Sequence, residues 1–280
     1  MLPSEEIRDW VEELHEPSVV PLEQFTSLIS WLKNLHHFPS VRLVIGCSGT
    51  GKTIAISYYQ KSVEKRSRNF TKPTLLIKPP LQCEIRAFYL SLIKTLYSPT
   101  FGRISTYELR QNSWYYLKHY QVSQLIIDDA DRLKSATFTE ITDIVDRLKI
   151  SVILVGGKLL LKKIAKNERI ERRIHSTFYM NPLTCDQFAQ AVFMLTKSIF
   201  RCEMDMSDMN FLSNLYSYCQ GSIKILDETF RQIALTHLQN GLSKFSPELI
   251  KETFFSLRPS PTPYYPESIK KQKMSAKLDR

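Results

Sequence analysis

Long hydrophobic runs are missing from this sequence. No stretch approaches the roughly 20 consecutive apolar residues that a membrane-crossing helix requires. Its first turns, with Glu5, Glu6, Asp9, Glu12 and Glu13, lack the basic-then-apolar order of a secretory leader. A soluble, cytoplasmic protein with no membrane partner is expected. Cysteine is sparse, and Cys47, Cys83, Cys185, Cys202 and Cys219 are odd in number with no C-x-x-C spacing. That excludes a disulfide framework or a zinc ribbon and predicts buried free thiols in a reducing compartment. None of the histidines, including the adjacent His36 and His37, has a metal-ligand spacing. Glycine is also scarce: 8 residues beside 14 prolines exclude collagen-like and low-complexity chains.

What remains is ordinary globular composition, 43% hydrophobic and 24% charged over 280 residues, enough for about two domains. Lysine and arginine (38) outnumber aspartate and glutamate (28), giving a net charge of +10 that favours polyanionic partners. A share of +4 falls in residues 258–280, where Arg258, Lys270, Lys271, Lys273, Lys277 and Arg280 face only Glu267 and Asp279. That segment opens on alternating prolines and predicts an exposed tail.

Periodicity divides the rest. Residues 1–40 read as a helical lead-in, with Phe25, Leu28, Ile29 and Leu32 at helical spacing. Short β-rich runs at 41–45, 74–77, 125–127, 152–155 and 177–180 alternate with helical patterns, which predicts an α/β domain over 41–182 built on a five-stranded parallel sheet. From Thr184 and Gln187, spaced as a capping box, the pattern turns wholly helical to residue 257 and predicts a small all-helical second domain, with further helices over 209–219, 223–239 and 246–255.

The strongest motif is Gly46, Cys47, Ser48, Gly49, Thr50, Gly51, Lys52 and Thr53, a full G-x-x-x-x-G-K-T between a strand and a helix that begins with Ile54. Such a loop wraps backbone N–H groups around phosphates at a helix N-terminus, with Lys52 on the β and γ oxygens and the Thr53 hydroxyl on Mg²⁺. Hydrolysis also needs a carboxylate for the metal and a group to orient water. The strand 125–127 ends in Asp128, the expected metal ligand, and Asp129, the expected water-orienting group.

Together these motifs make the chain resemble an AAA+ ATPase. The markers are the loop at 46–53, the run Ile126, Ile127, Asp128, Asp129, Ala130, Asp131, Arg132, Leu133, Lys134, the run 152–156, and the helical lid. More narrowly, Ser18 to Leu22, the Asp131, Arg132, Leu133, Lys134 continuation, and Gly221 to Glu228 resemble TnsC and TniB transposition proteins, the compact size matching the TnsC of CRISPR-associated transposons. The resemblance covers residues 16–257. It implies sheet order 5-1-4-3-2, ATP and Mg²⁺ as cofactors, and a slow ATPase in the bacterial cytoplasm that assembles as a ring or filament on double-stranded DNA. Such a protein would link TniQ and an RNA-guided effector to the transposase TnsB. A nucleotide-gated protein scaffold with negligible hydrolysis and a helicase-loader type of ATPase are the alternatives.

Three positions depart from the family pattern. Asp129 stands where the family carries glutamate, Gly156, Gly157 and Lys158 replace the polar sensor, and Lys224 is the nearest lid cation to the expected arginine. The resemblance further implies a trans-acting arginine before the last strand, with Arg172 and Arg173 the candidates. Related DNA-binding proteins track the duplex with the region between the second and third strands, which nominates Arg103, Arg110, Ser113 and Lys118 as phosphate contacts. Trp114, Tyr115, Tyr116 and Tyr120, interleaved there, suit either a stacking platform for a single strand or core packing against the sheet, and core packing is expected.

Overall fold

The computed structural model describes residues 5–35, 39–66, 71–97, 104–204, 206–240, 242 and 244–257. Arg103, His36, His37 and the basic tail 258–280 lie outside the described residues.

The chain runs α1 (Glu5–Glu13), α2 (Glu23–Lys33), β1 (Val41–Gly46), α3 (Lys52–Glu64), β2 (Thr74–Ile77), α4 (Ile85–Leu96), α5 (Thr106–His119), β3 (Gln124–Ile127), a 3₁₀ turn at Ala130–Arg132, α6 (Ser135–Leu148), β4 (Ser151–Gly156), α7 (Lys158–Ile164), α8 (Glu168–Glu171) and β5 (Ile174–Met180). The helical part then follows with α9 (Cys185–Leu195), a π turn at Thr196–Phe200, α10 (Met209–Cys219), α11 (Ile223–Gln239) and α12 (Pro247–Leu257).

All five strands are parallel, in the order β2-β3-β4-β1-β5. Read from the other edge this is the expected 5-1-4-3-2. Parallel strands buried on both faces read as near-continuous apolar runs, and β1, β3 and β4 supply them, with buried Arg42, Gln124 and Ser151 at their starts as the polar exceptions. Val41, Leu43, Ile45, Leu75, Ile77, Leu125, Ile127, Val152 and Leu154 face the layer of α4, α5 and α6. Their neighbours Val44, Ile126, Ile153 and Val155 face α2 and α3. The edge strand β5 starts at Ile174, three residues before the apolar run read from sequence. His175 and Ser176 lie on its half-exposed stretch, so hydrophobicity did not mark them as strand.

Beyond the sheet, Thr184 and Gln187 form the capping box of α9, and Ser246 Oγ accepts from the Leu249 amide at the start of α12. The lead-in divides between the two cores. Phe25, Leu28, Ile29 and Leu32 of α2 pack on the sheet with α3, whereas Trp10 and Leu14, followed by Val20 and Leu22, pack among the lid helices. Residues 14–22 thus cross from one core to the other. Trp10 anchors the crossing: its indole N–H donates to the Ile199 carbonyl (3.1 Å), its ring meets Phe245 edge-on at 5.6 Å, and the Arg201 guanidinium lies 4.4 Å from the ring centroid. Trp10→Ala is expected to cost about 3–5 kcal/mol by cavity formation, read as a lower urea midpoint for the lid.

Candidate nucleotide-binding site

The phosphate loop connects β1 to α3 at the carboxyl edge of the sheet. Gly49 and Gly51 adopt φ of +83° and +89°, a left-handed conformation that glycine takes without Cβ strain. Gly49 also lies against the lid, where an added Cβ would run into the Ser222 side chain. Ser222 serves two purposes there. Its hydroxyl donates to the Gly49 carbonyl (3.2 Å) and accepts from the Ile225 amide (3.3 Å) as the cap of α11, while the Lys224 amide donates to the same Gly49 carbonyl (3.1 Å). The first turn of the lid helix is therefore docked directly on the loop.

Within the loop, the Lys52 ammonium donates to the carbonyls of Gly46 (2.9 Å) and Cys47 (2.6 Å). Burial lowers the Lys52 pKa from the ordinary lysine value, and the charge of Asp128 is the largest opposing influence. Thr53 Oγ1 donates to Asp128 Oδ2 at 2.8 Å, and Asp128, only 3% exposed, accepts the Asp129 amide with its other oxygen (3.0 Å). Strand pairing fixes this meeting: β3 lies beside β4 and β4 beside β1, so the acids after Ile127 reach the loop after Gly46. Cys47, expected in the core, is exposed because its loop is, and Cys185 is exposed as well.

Asp129 has φ +50° and points its carboxylate at two cations, Lys78 Nζ (3.0 Å) and Arg132 Nη2 (2.9 Å). At the tip of β4, Gly156 and Gly157 line the cleft, so no side chain projects from the position of the missing sensor. Lys158 begins α7.

The cleft itself has a volume of about 700 Å³. Its walls are Gly46, Ser48, Gly49, Gly51, Lys52, Thr53 and Ile54 from the loop side, Asp129 and Asp131 from the strand tips, and Lys224, Asp227, Glu228 and Arg231 from α11. Against it lies an apolar slot made by Val20, Leu22, Phe25, Thr50, Ile54, Met180, Leu183 and Ile223. An anion-binding loop with left-handed glycines, four cations and an adjoining apolar slot fits a nucleoside triphosphate. The paired Thr53 hydroxyl and Asp128 carboxylate are hard oxygen donors suited to Mg²⁺.

Sequence reading missed three of these groups. Lys78 directly follows β2, where no motif marks it, and Asp131 stands in the sequence only as part of the run that resembles the AAA+ family. Arg231 lies seven residues after Lys224, hence on the same face of α11, and it reaches the cleft only because that face closes over the loop. It pairs with Asp227 and donates to the Leu14 carbonyl (3.3 Å), while its buried Nε has no hydrogen-bond partner. Lys224 itself sits 3.7 Å from Glu228.

The proposed DNA contacts on α5 require correction. Ser113 is fully buried, donating to the Leu109 carbonyl (2.7 Å), and cannot reach a phosphate. Arg110 is committed to Glu140 through Nε (2.8 Å) and Nη2 (2.5 Å), and Glu140 also accepts from the Tyr89 hydroxyl (2.6 Å). Arg110 and Ser113 do share a helix face, but that face packs inward; Lys118 stands exposed. Arg172 pairs with Glu168 on its own short helix at 77% exposure, and Arg173 pairs with Asp146 of α6. Neither lines the cleft of its own chain.

Comparison with known proteins agrees with this architecture. Residues 38–164 match the family model described as an AAA domain. A curated relative from Staphylococcus aureus, described as a potential ATP-binding protein, is 23% identical over 147 residues, 50% of this chain and 54% of its own. The chain thus spans about half the length of that relative. Among solved structures, the ORC2 protein of Aeropyrum pernix in its ADPNP–ADP complexes superposes with a TM-score of 0.65 at 12% identity, covering 91% of this chain and 72% of that one. The ORC1 protein of Aeropyrum pernix in complex with DNA gives 0.63 at 14% identity, covering 86% and 66%. Cdc6p from Pyrobaculum aerophilum gives 0.62 at 17% identity, covering 85% and 69%. The phosphate loop, the paired acids, the strand order and the docked helical lid together give this chain the AAA+ P-loop fold, with residues 38–164 similar to the family model described as an AAA domain.

Proposed function

We propose that this chain is an ATP- and Mg²⁺-dependent AAA+ regulator of DNA transposition that assembles as a homo-oligomer on double-stranded DNA. In that role it connects TniQ and an RNA-guided effector to the transposase TnsB. The observation that carries the reading is the convergence of its three transposition-type segments on one cleft. Ser18 to Leu22 cross between lid and sheet beside the apolar slot, with the Ser18 amide donating to Asp227 (3.4 Å); Asp131 and Arg132 stand at the strand tips; and the Ser222 hydroxyl and Lys224 amide hold the lid to the loop. The overall charge of +10 suits a DNA partner, and an ORC1 structure of similar fold is a complex with DNA.

Each side chain has a definite task in this scheme. Lys52 neutralises the β and γ oxygens, and Thr53 and Asp128 hold Mg²⁺, which supplies charge stabilisation at the transferred phosphoryl group. Lys224 and Arg231 present lid cations to the same anion, so nucleotide state sets the angle between lid and sheet. Arg172, held only by an exposed pair within one helical turn, is freer to enter a neighbouring subunit's cleft than Arg173, which is tied to a second helix. Asp129 orients water once it leaves Lys78 and Arg132.

That last contact makes hydrolysis slow and favours a second reading, a nucleotide-gated scaffold that recruits proteins with little turnover. Lys78→Ala frees one side of Asp129 and is expected to raise basal phosphate release several-fold under saturating ATP. Unchanged turnover would remove Lys78 from control of the reaction. The test of the main reading is electron microscopy of the protein with double-stranded DNA and Mg²⁺ in parallel with ATP, a non-hydrolysable analogue or ADP. Rings or filaments on DNA that need the triphosphate are expected, followed by nucleotide-dependent retention of TnsB. DNA-free particles in every nucleotide state would overturn the assembly and leave the scaffold.

A further inference from the structure

A second surface, at the opposite edge of the sheet from the nucleotide cleft, carries exposed aromatic rings. Helices α4 and α5 run side by side in the same direction: Arg86 meets the Ile104 carbonyl at one end, and Tyr97 meets Tyr116 at the other. The chain leaves α5 at Tyr120 to enter β3 at its amino end, whereas the phosphate loop leaves β1 at the carboxyl end of the same parallel sheet. The two sites are therefore at opposite poles.

Helical spacing builds the ring array. Residues four apart stack on one side of a helix, so Tyr116 lies over Tyr120 (6.3 Å, 23°) and Tyr115 over His119 (5.8 Å, 14°). Tyr97 extends the first stack from α4 (5.3 Å to Tyr116, 16°), and edge-on contacts at 5.3 Å and 5.1 Å join the two stacks. Tyr116 and Tyr120 rest partly on the core, as sequence suggested, but Tyr97 and Tyr115 are 50% and 62% exposed.

The charged residues next to the array in sequence have one sign. Lys94 and Lys118 are exposed within one helical turn of Tyr97 and Tyr115, and Lys72 stands 5.3 Å from the Tyr120 ring centroid. Lys72 also donates to the Thr95 and Leu96 carbonyls (3.2 and 3.1 Å), covering the negative end of α4 that would otherwise repel an anion. Residues 91–97, 114–124 and 71–77 contain no aspartate or glutamate.

We propose that this pole binds unpaired nucleic acid, with bases stacking on Tyr97 and Tyr115 and backbone phosphates meeting Lys94 and Lys118. Flat exposed rings flanked by cations match a single strand, whose bases offer π faces, whereas a duplex hides its bases and presents phosphates alone. The surface is separate from the nucleotide cleft, so the inference stands whether or not the transposition reading does.

The test is fluorescence anisotropy of the full chain with a labelled short oligo-dT, an abasic strand of equal length, and a blunt duplex. Wild type is expected to bind oligo-dT about tenfold or more tighter than the abasic strand, since each stacked base contributes on that scale. Tyr97→Ala/Tyr115→Ala should abolish this preference, leaving ATP binding intact, while Tyr97→Phe/Tyr115→Phe retains it and so separates stacking from any loss of fold. Lys94→Ala/Lys118→Ala should weaken oligo-dT and the abasic strand alike. Equal binding of oligo-dT and abasic strand by wild type, a preference that survives the alanine pair, or its loss in the phenylalanine pair would each overturn the proposal.

Discussion

Lys52→Ala is expected to lower ATP affinity by about 100-fold, the equivalent of roughly 2.7 kcal/mol. The ammonium sits at the centre of the loop, within 2.9 Å of two loop carbonyls. Alanine removes a charge-assisted interaction from inside the loop, and the other cations of the cleft, Lys78, Lys224 and Arg231, stand paired with Asp129, Glu228 and Asp227. Isothermal titration with ATP and a parallel melt separate this from unfolding. Lys52 is a half-buried first-turn residue, so the variant should melt within a few degrees of wild type yet gain nothing from added ATP. Binding within a factor of three of wild type would mean the loop cradles a different anion.

Asp128→Asn is expected to leave nucleotide binding within about tenfold of wild type and to reduce hydrolysis by about 10²–10³-fold, the usual scale for losing one electrostatic partner of a transition state. The substitution nearly preserves shape. Asp128 takes its two hydrogen bonds on separate oxygens, from the Thr53 hydroxyl (2.8 Å) and the Asp129 amide (3.0 Å); the single asparagine oxygen can keep the Asp129 amide, while the new NH₂ donates to the Thr53 hydroxyl oxygen. What disappears is the negative charge opposite Lys52 and beside the Thr53 hydroxyl, the charge a divalent cation would use. Phosphate release measured against Mg²⁺ concentration should therefore show both a lower maximum and a rightward shift. An unaltered Mg²⁺ dependence would assign the metal to Asp129 or Asp131 instead.

The sheet and the phosphate loop were legible in the sequence because their physics is local. Strands buried on both faces must be continuous apolar runs, and a loop that packs backbone around phosphate must carry glycine where φ is positive, as at Gly49 and Gly51. The capping box at Thr184 and the helices over 209–219 and 223–239 were readable for the same reason. Residues whose role depends on distant partners were not. Lys78 acquires meaning only when β2 lies beside β3 and brings it to Asp129, and Arg231 only when α11 closes over the loop. Arg110 and Ser113 failed in the opposite direction. Their types suited DNA, but the buried acid at Glu140 claims Arg110, and the face they share is turned inward. Aromatic residues on α5 were ambiguous because core packing and surface stacking use the same i, i+4 spacing.

The divided lead-in also sets an order for biosynthesis. Trp10 and Leu14 precede the lid helices that receive them by most of the chain, the Trp10–Ile199 bond spanning 189 positions. During translation the sheet with α2 and α3 can assemble while α1 still waits, its apolar face uncovered, for α9 to α12 to appear. Contacts of such long sequence separation form late and slowly. Closure of α1 into the lid is thus a late step of maturation, and until it happens residues 14–22 cannot complete the wall of the nucleotide cleft. A nascent chain would complete that wall only after α9 to α12 have left the ribosome.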